Sequence, residues 1–269
     1  MLFRGPDMRF DNFMKRRISR IYPTVFMVAI LGSLIFGNSN NIIDIIINGG
    51  GWFVSCIMIY YVALWCVKRW FLHSMWIVWT LVAAIILTWY YGFYDNGGFV
   101  SVYKETYIEW SFFFIYMLQG AIMGQNPDKY PYNKWVIPKL LTCAAIWYAF
   151  QIFDKHIQFF VDFQYLTLIP LYGVTYYTYR FCCAPFWSRL YNRPKTGQIL
   201  FIIGGLCLEA YLVQFYIITD KLNWMFPFNI PVITLIILLI AYIVNFLSSA
   251  LAQTFRKEDY NWRKCFLHK

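Results

Sequence analysis

The chain has 269 residues, of which 60% are hydrophobic, 22% aromatic and only 13% charged, with a mean hydropathy of +0.50 and a formal net charge of +10. Soluble domains carry about 25% charged residues, and a fold of this size could not hide so much apolar surface from water. The composition therefore argues against a soluble globular fold and for an integral membrane protein, and the positive charge does not imply nucleic acid because the basic residues sit in short stretches between apolar runs.

The first twenty residues are polar and basic, and no small-residue cleavage site follows the first apolar run, so no cleavable signal peptide is expected. Lys15-Arg16-Arg17-Ile18-Ser19-Arg20 then runs directly into Ile21-Tyr22-Pro23 and apolar sequence to Phe36. A helix needs about 20 apolar residues to cross the hydrocarbon core. The apolar runs predict spans over 21–36, 51–67, 73–91, 108–124, 135–153, 158–179, 198–218 and 230–252, the first beginning within the basic segment. Turn formers separate several of them: Gly37-Asn38-Ser39-Asn40-Asn41, Asn96-Gly97-Gly98, Asn126-Pro127-Asp128 and Asn192-Arg193-Pro194. The predicted fold is all-α, a polytopic transmembrane bundle of about eight spans over 21–252. A basic cytoplasmic segment, 1–20, precedes it and a basic cytoplasmic tail, 253–269, follows. No internal repeat and no attached hydrophilic domain is visible.

Eight spans place both termini on one side. With that side cytoplasmic, the outer segments hold only Lys104, Lys155 and Lys221 of the 23 Lys and Arg residues, and the inner segments hold the other 20. That asymmetry is a positive-inside pattern, and a miscounted span would have scrambled it.

Few residues stand out as chemistry. The cysteines, Cys56, Cys66, Cys143, Cys182, Cys183, Cys207 and Cys265, lie mostly in apolar runs and form no Cys-x-x-Cys pair, so no disulfide framework or metal site is predicted. Arg17 and Arg20 are three apart, and Arg16 and Arg20 four apart, so either pair shares a helix face. Such a pair at a cytosolic interface either anchors topology on anionic lipid or clamps a phosphate or pyrophosphate bidentately. Spacing alone favours the anchor. Glu209 lies inside the 198–218 run, where a carboxylate costs about 2.5–3.5 kcal/mol and faces a cavity or a partner. Gly204-Gly205 before it permits close helix approach, and Gln214 beyond it is expected to line the same cavity. Asp44, Glu109 and Asp162 read as interfacial acids at outer span ends, and Tyr176-Tyr177-Tyr179 before Arg180 as an aromatic belt. Trp52 and Tyr60 face either lipid or the bundle.

Phe13-Met14-Lys15-Arg16-Arg17-Ile18-Ser19-Arg20-Ile21-Tyr22-Pro23 resembles the basic motif of the membrane acyltransferase-3 family. Looser likenesses follow in order: Trp52-Phe53-Val54 with Tyr60-Tyr61, Trp110-Ser111-Phe112-Phe113-Phe114 with Gln119-Gly120-Ala121 and Gly124, and Leu208-Glu209-Ala210-Tyr211-Leu212-Val213-Gln214. The resemblance implies a transferase moving an acyl group, typically acetyl, from acyl-CoA to a hydroxyl of a surface polysaccharide or glycolipid sugar. It implies a bacterial inner membrane location and no tightly bound cofactor. It implies that Arg17 and Arg20, with Arg16 beside them, meet the acyl-CoA donor; Glu209, Gln214, Trp52 and Tyr60 are the candidate substrate or cavity residues. The family's own pattern begins two helices earlier, with an Arg and a catalytic His. Here the histidines are His73, His156 and His268, all in expected loops or the tail, so the catalytic base is unassigned and turnover by this chain is in question. The alternatives are a transporter or flippase for a lipid-linked or polyol substrate, and a non-catalytic remnant. No inverted repeat supports the transporter.

Overall fold

Proline and glycine set several of the helix boundaries in the computed structural model, which describes residues 8–37, 41–47, 49, 51–95, 106–154, 156–255 and 258–266. Arg4, Asn38-Ser39-Asn40, Asn96-Gly97-Gly98, Lys104, Lys155, Arg256, Lys257, His268 and Lys269 lie outside the described residues, as do the side chains of Asp162 and Lys264. All regular secondary structure among the described residues is helical.

Helix α1 (Phe10–Phe36) starts well before Ile21, so the basic segment is its first three turns. Asp11 in the opening turn complements the helix dipole, and Lys and Arg are good helix formers. It stops at Gly37, which adopts φ +69°, with its N–H bonded to the Ser33 carbonyl at 3.1 Å; only glycine takes that conformation without strain. Next come α2 (Ile42–Ile47), α3 (Gly51–Phe71), α4 (Met75–Asp95), α5 (Thr106–Gln125) and α6 (Val136–Phe153). The chain continues through α7 (Gln158–Asp162), α8 (Leu168–Cys182), α9 (Pro185–Asn192), α10 (Pro194–Gly205), α11 (Cys207–Ile217) and α12 (Asn229–Thr254).

Among the described residues, α1, α3, α6 and α12 are long and apolar enough to cross a membrane, and α10 with α11 makes a fifth span if the pair is counted as one. Two predicted spans are broken. The 158–179 run is α7, a 3₁₀ turn at Gln164–Thr167, and α8. The chain leaves helical geometry at Phe163 (φ −108°, ψ 30°), and Pro170, which has no N–H, fits the first turn of a helix that restarts at Leu168. The 198–218 run bends by 65° at Leu206. Gly204-Gly205 is a weak helical pair, and the Leu206 N–H is shared between the Ile202 and Ile203 carbonyls at 3.1 and 3.2 Å.

The described residues divide into two units. The first is Tyr60–Arg189, from the second half of α3 into α9. In it α4 packs on α5 and α6 on α8. Its core has two clusters, Leu64, Val67, Met75, Leu118 and Ile122, and Ile86, Tyr90, Phe112 and Ile115. Side chains tie its helices: Trp79 Nε1 donates to Ile115 O at 3.2 Å, Tyr116 to Leu168 O at 3.0 Å, and Thr175 to Gln119 Oε1 at 2.9 Å.

The second unit is Met8–Ile59 with Leu190–Lys269. Its centre is the trio α1, α11 and α12. Buried Ile21, Thr24, Val25, Val28, Ala29 and Gly32 make one stripe along α1. Ala241, Val244 and Ser248 do the same on α12. The small residues in both stripes let the backbones approach. The opposite face of α12 is not polar: Leu235, Leu239 and Ile243 are 60%, 66% and 56% exposed. With polar side chains inside and leucines outside, this trio inverts the soluble pattern and suits an apolar solvent.

Candidate functional site

The buried polar groups of the second unit converge on Glu209. It occupies the first turn of α11, immediately beyond the bend, and is 5% exposed. That position gives its carboxylate the favourable end of the helix dipole. The bend opens a new helix N-terminus within an apolar run, which is why an acid is tolerated there at all.

Two other helices supply its partners. From α12, Asn245 Nδ2 donates to Glu209 Oε1 at 2.9 Å. From α1, Thr24 Oγ1 reaches the same oxygen at 3.2 Å and lies 3.4 Å from Ser248 Oγ. Ser248 in turn donates to its own helix, at Asn245 O, 3.0 Å away. Its lone pairs therefore face Thr24, whose single proton serves either Ser248 or Glu209. Both donors address Oε1. Oε2 is buried and has no hydrogen-bond partner among the described residues. Native structures rarely leave such an atom unmatched, and those that do match it with water or an ion, hold it in strain, or use it in chemistry. Chemically, one carboxylate oxygen is held by donors while the other keeps lone pairs that a proton, a hydroxyl or a cation could match.

The arginines sit on the same helix as Thr24. Arg16 and Arg20 are exposed, and among the described residues neither forms an ion pair. Arg17 is half-buried and lies 5.2 Å from the centre of the Phe13 ring, one turn earlier. Arg17 and Thr24 are seven residues apart, two turns along one face and about 10 Å along the axis. Arg17, Ile21, Thr24 and Val28 thus follow one line from the basic end into the buried polar cluster.

The other expected cavity residues have these surroundings within their own units. Gln214 is half-buried on α11, but five residues beyond Glu209 is about 140° round a helix. The neighbours on the Glu209 face are the buried Leu212 and Val213. Trp52 is 40% exposed and packs edge-on against Phe53, whose ring is 4.7 Å from that of Tyr211. Tyr60 belongs to the first unit, where its hydroxyl donates to Trp110 O and its ring lies 5.2 Å from Phe114. His73 and His156 are exposed residues of that unit too. Asp44 is exposed on α2 and Glu109 half-buried on α5.

The expected tyrosine belt is interlocked rather than simply spread. Tyr176 packs edge-on against Tyr130, and Arg180 lies 5.6 Å from the Tyr176 ring. Arg180 also sends Nε and Nη2 to Pro131 O at 2.9 and 2.7 Å. Burial, with Tyr176 beside it, pushes the Tyr130 phenol above its ordinary range.

Thr24, Asn245 and Ser248 were not singled out by sequence. Their signal was present but weak: single polar residues in apolar helices, with Asn245 and Ser248 one turn apart on the strongly apolar α12. Among the described residues, no group of three or more His, Cys, Asp or Glu is placed to hold a metal ion.

Among the described residues the fold and site together define an all-helical protein with four helices long and apolar enough to cross a membrane and a buried carboxylate cluster in one of its units. No protein family, curated protein or solved structure matches the chain.

Proposed function

We propose that the chain is a multi-pass membrane O-acyltransferase that takes an acyl group, typically acetyl, from acyl-CoA to a hydroxyl of a sugar or glycolipid acceptor. The observation that carries this reading is the register of α1. It puts exposed Arg16 and Arg20 and half-buried Arg17 at one end, and Thr24, bonded to Glu209, two turns further in. Guanidinium groups suit the phosphates of CoA, and the thioester end of the same donor would extend toward the buried cluster. We read the Lys and Arg distribution as eight spans with both termini cytosolic, which would put the arginines on the acyl-CoA side; a bacterial plasma membrane follows from the resemblance alone.

Binding of CoA to the purified full chain in detergent, followed by calorimetry, tests it. Arg17→Ala and Arg20→Ala should each weaken CoA at least tenfold while eluting as folded protein. Wild-type affinity in both variants would remove the arginines from the donor site.

One observation favours a second reading, a carrier for a polyol or lipid-linked substrate. The 65° break at Leu206, with a buried acid on the new helix end, is the kind of interrupted span from which many carriers build midplane sites. Substrate counterflow in proteoliposomes without any CoA requirement would select that reading over the first.

A further inference from the structure

We propose that Glu209 is the general base of the transfer, with Oε2 as the atom that takes the acceptor hydroxyl's proton; this rests on the acyltransferase reading above. The argument starts from the asymmetry of the carboxylate. Oε1 receives Asn245 Nδ2 at 2.9 Å and Thr24 Oγ1 at 3.2 Å, from two different helices, so the side chain is held in place. Oε2 is equally buried and receives nothing from the described residues. An acid this deep in an apolar bundle is costly, and the protein has built donors for only half of it.

The unpartnered oxygen suits a donor ligand better than a metal ion. Asn245 turns a proton toward the carboxylate, Thr24 shares its own between Glu209 Oε1 and Ser248, and Ser248 turns its own toward Asn245 O. A cation would need those groups to present oxygen lone pairs. A hydroxyl, by contrast, completes the set by donating to Oε2. The acceptor class is therefore a neutral alcohol, such as a sugar ring hydroxyl.

The step balances without a further reagent. The acceptor oxygen bonds to the thioester carbonyl carbon as its proton passes to Oε2. The carbon–sulfur bond then breaks, and the CoA thiolate leaves with the proton returned by Glu209. One ester and one free thiol form, and the carboxylate is restored. Thr24 and Asn245 serve throughout as donors to Oε1, holding the base in register.

The test uses the full chain in micelles, with acetyl-CoA as donor and octyl β-D-glucoside as acceptor, and mass spectrometry of the O-acetyl product. Glu209→Gln keeps the shape of the side chain but not the base. It should bind CoA within twofold of wild type and form ester at least about 100-fold more slowly, the low end of what general base catalysis contributes. Ester formation within threefold of wild type would overturn the assignment. Should Glu209→Gln not fold, wild-type protein is treated with dicyclohexylcarbodiimide, an apolar reagent for buried carboxyl groups. Adduct at Glu209 should accumulate in step with the loss of ester formation, and adduct without loss, or loss without adduct there, overturns it. Failure of the donor site is separately visible, as unchanged CoA binding in Arg17→Ala and Arg20→Ala.

Discussion

Thr24 Oγ1 lies 3.2 Å from Glu209 Oε1, across 185 residues of sequence. The contact joins the helix that carries the arginine cluster to the helix that follows the bend. Asn245 makes the same carboxylate oxygen a three-helix junction, with α1, α11 and α12 meeting at one atom. Side-chain hydrogen bonds between membrane helices are individually modest, averaging about 0.6 kcal/mol. Here the acceptor is shared and buried, so removing either donor leaves a buried oxygen less well matched, at a cost of about 1–3 kcal/mol.

Thr24→Val keeps the branched shape and removes the proton, so it should lower stability by about 1–2 kcal/mol. Asn245→Leu should cost a similar amount. Because both act on Oε1, their effects should not add: the double variant should differ from the sum by at least about 0.5 kcal/mol. Unfolding of the four proteins in mixed micelles measures the cycle. Additivity within about 0.3 kcal/mol would mean the two donors do not share an acceptor in solution.

Gly204 precedes the bend by two residues, and a Cβ built on it would meet nothing within 4 Å. Gly204→Ala therefore adds helix propensity at no steric cost, worth about 0.5–1 kcal/mol of extra stability. It should also stiffen the segment in front of Leu206. The expected outcome is a higher melting temperature in detergent together with slower transfer, if opening at the bend admits the acceptor. A lower melting temperature would show that the glycine is required by the bend itself rather than tolerated beside it.

The helical class was legible in the sequence because long apolar runs with few charges have one economical solution in lipid, in which each helix satisfies its own backbone. The breaks were harder to read. Apolar composition is continuous through Leu206, so hydropathy sees one run where the chain makes two helices; at Phe163 the flanking Asp162 and Gln164 were the available signal. Gly204-Gly205 was visible as a pair that admits a neighbouring helix, but the same lack of Cβ also weakens the helix where it ends. Glu209 was conspicuous because a carboxylate in an apolar run is rare; its partners were not, because Thr24 and Ser248 are ordinary helix residues whose meaning depends on which helix faces which. Gln214 shows the limit of reading by eye: one turn is 3.6 residues, and five residues overshoots the face. Sequence leaves Tyr60 facing either lipid or the bundle, because the hydroxyl's acceptor, Trp110 O, lies 50 residues away.

The orientation proposed from the basic residues is open to direct measurement through Cys182 and Cys183. Both are exposed at the end of α8, beside Arg180, on the side assigned to the cytosol. In a chain whose other five of seven cysteines are alanine, a membrane-impermeant maleimide should label them in inverted vesicles and not in intact cells. Asn223→Cys, in the exposed segment beside Lys221, should give the reverse when Cys182 and Cys183 are also replaced. The rate carries a second signature. Burial, and then the neighbouring Cys182 thiol, push the Cys183 thiol above its usual range. Maleimide reacts with the thiolate, so labelling of Cys183 should be slow near neutral pH and should accelerate as pH rises. Labelling of both cysteines from outside intact cells would invert the topology. The arginines would then face away from cytosolic acyl-CoA, and the donor site on α1 would fall with the orientation.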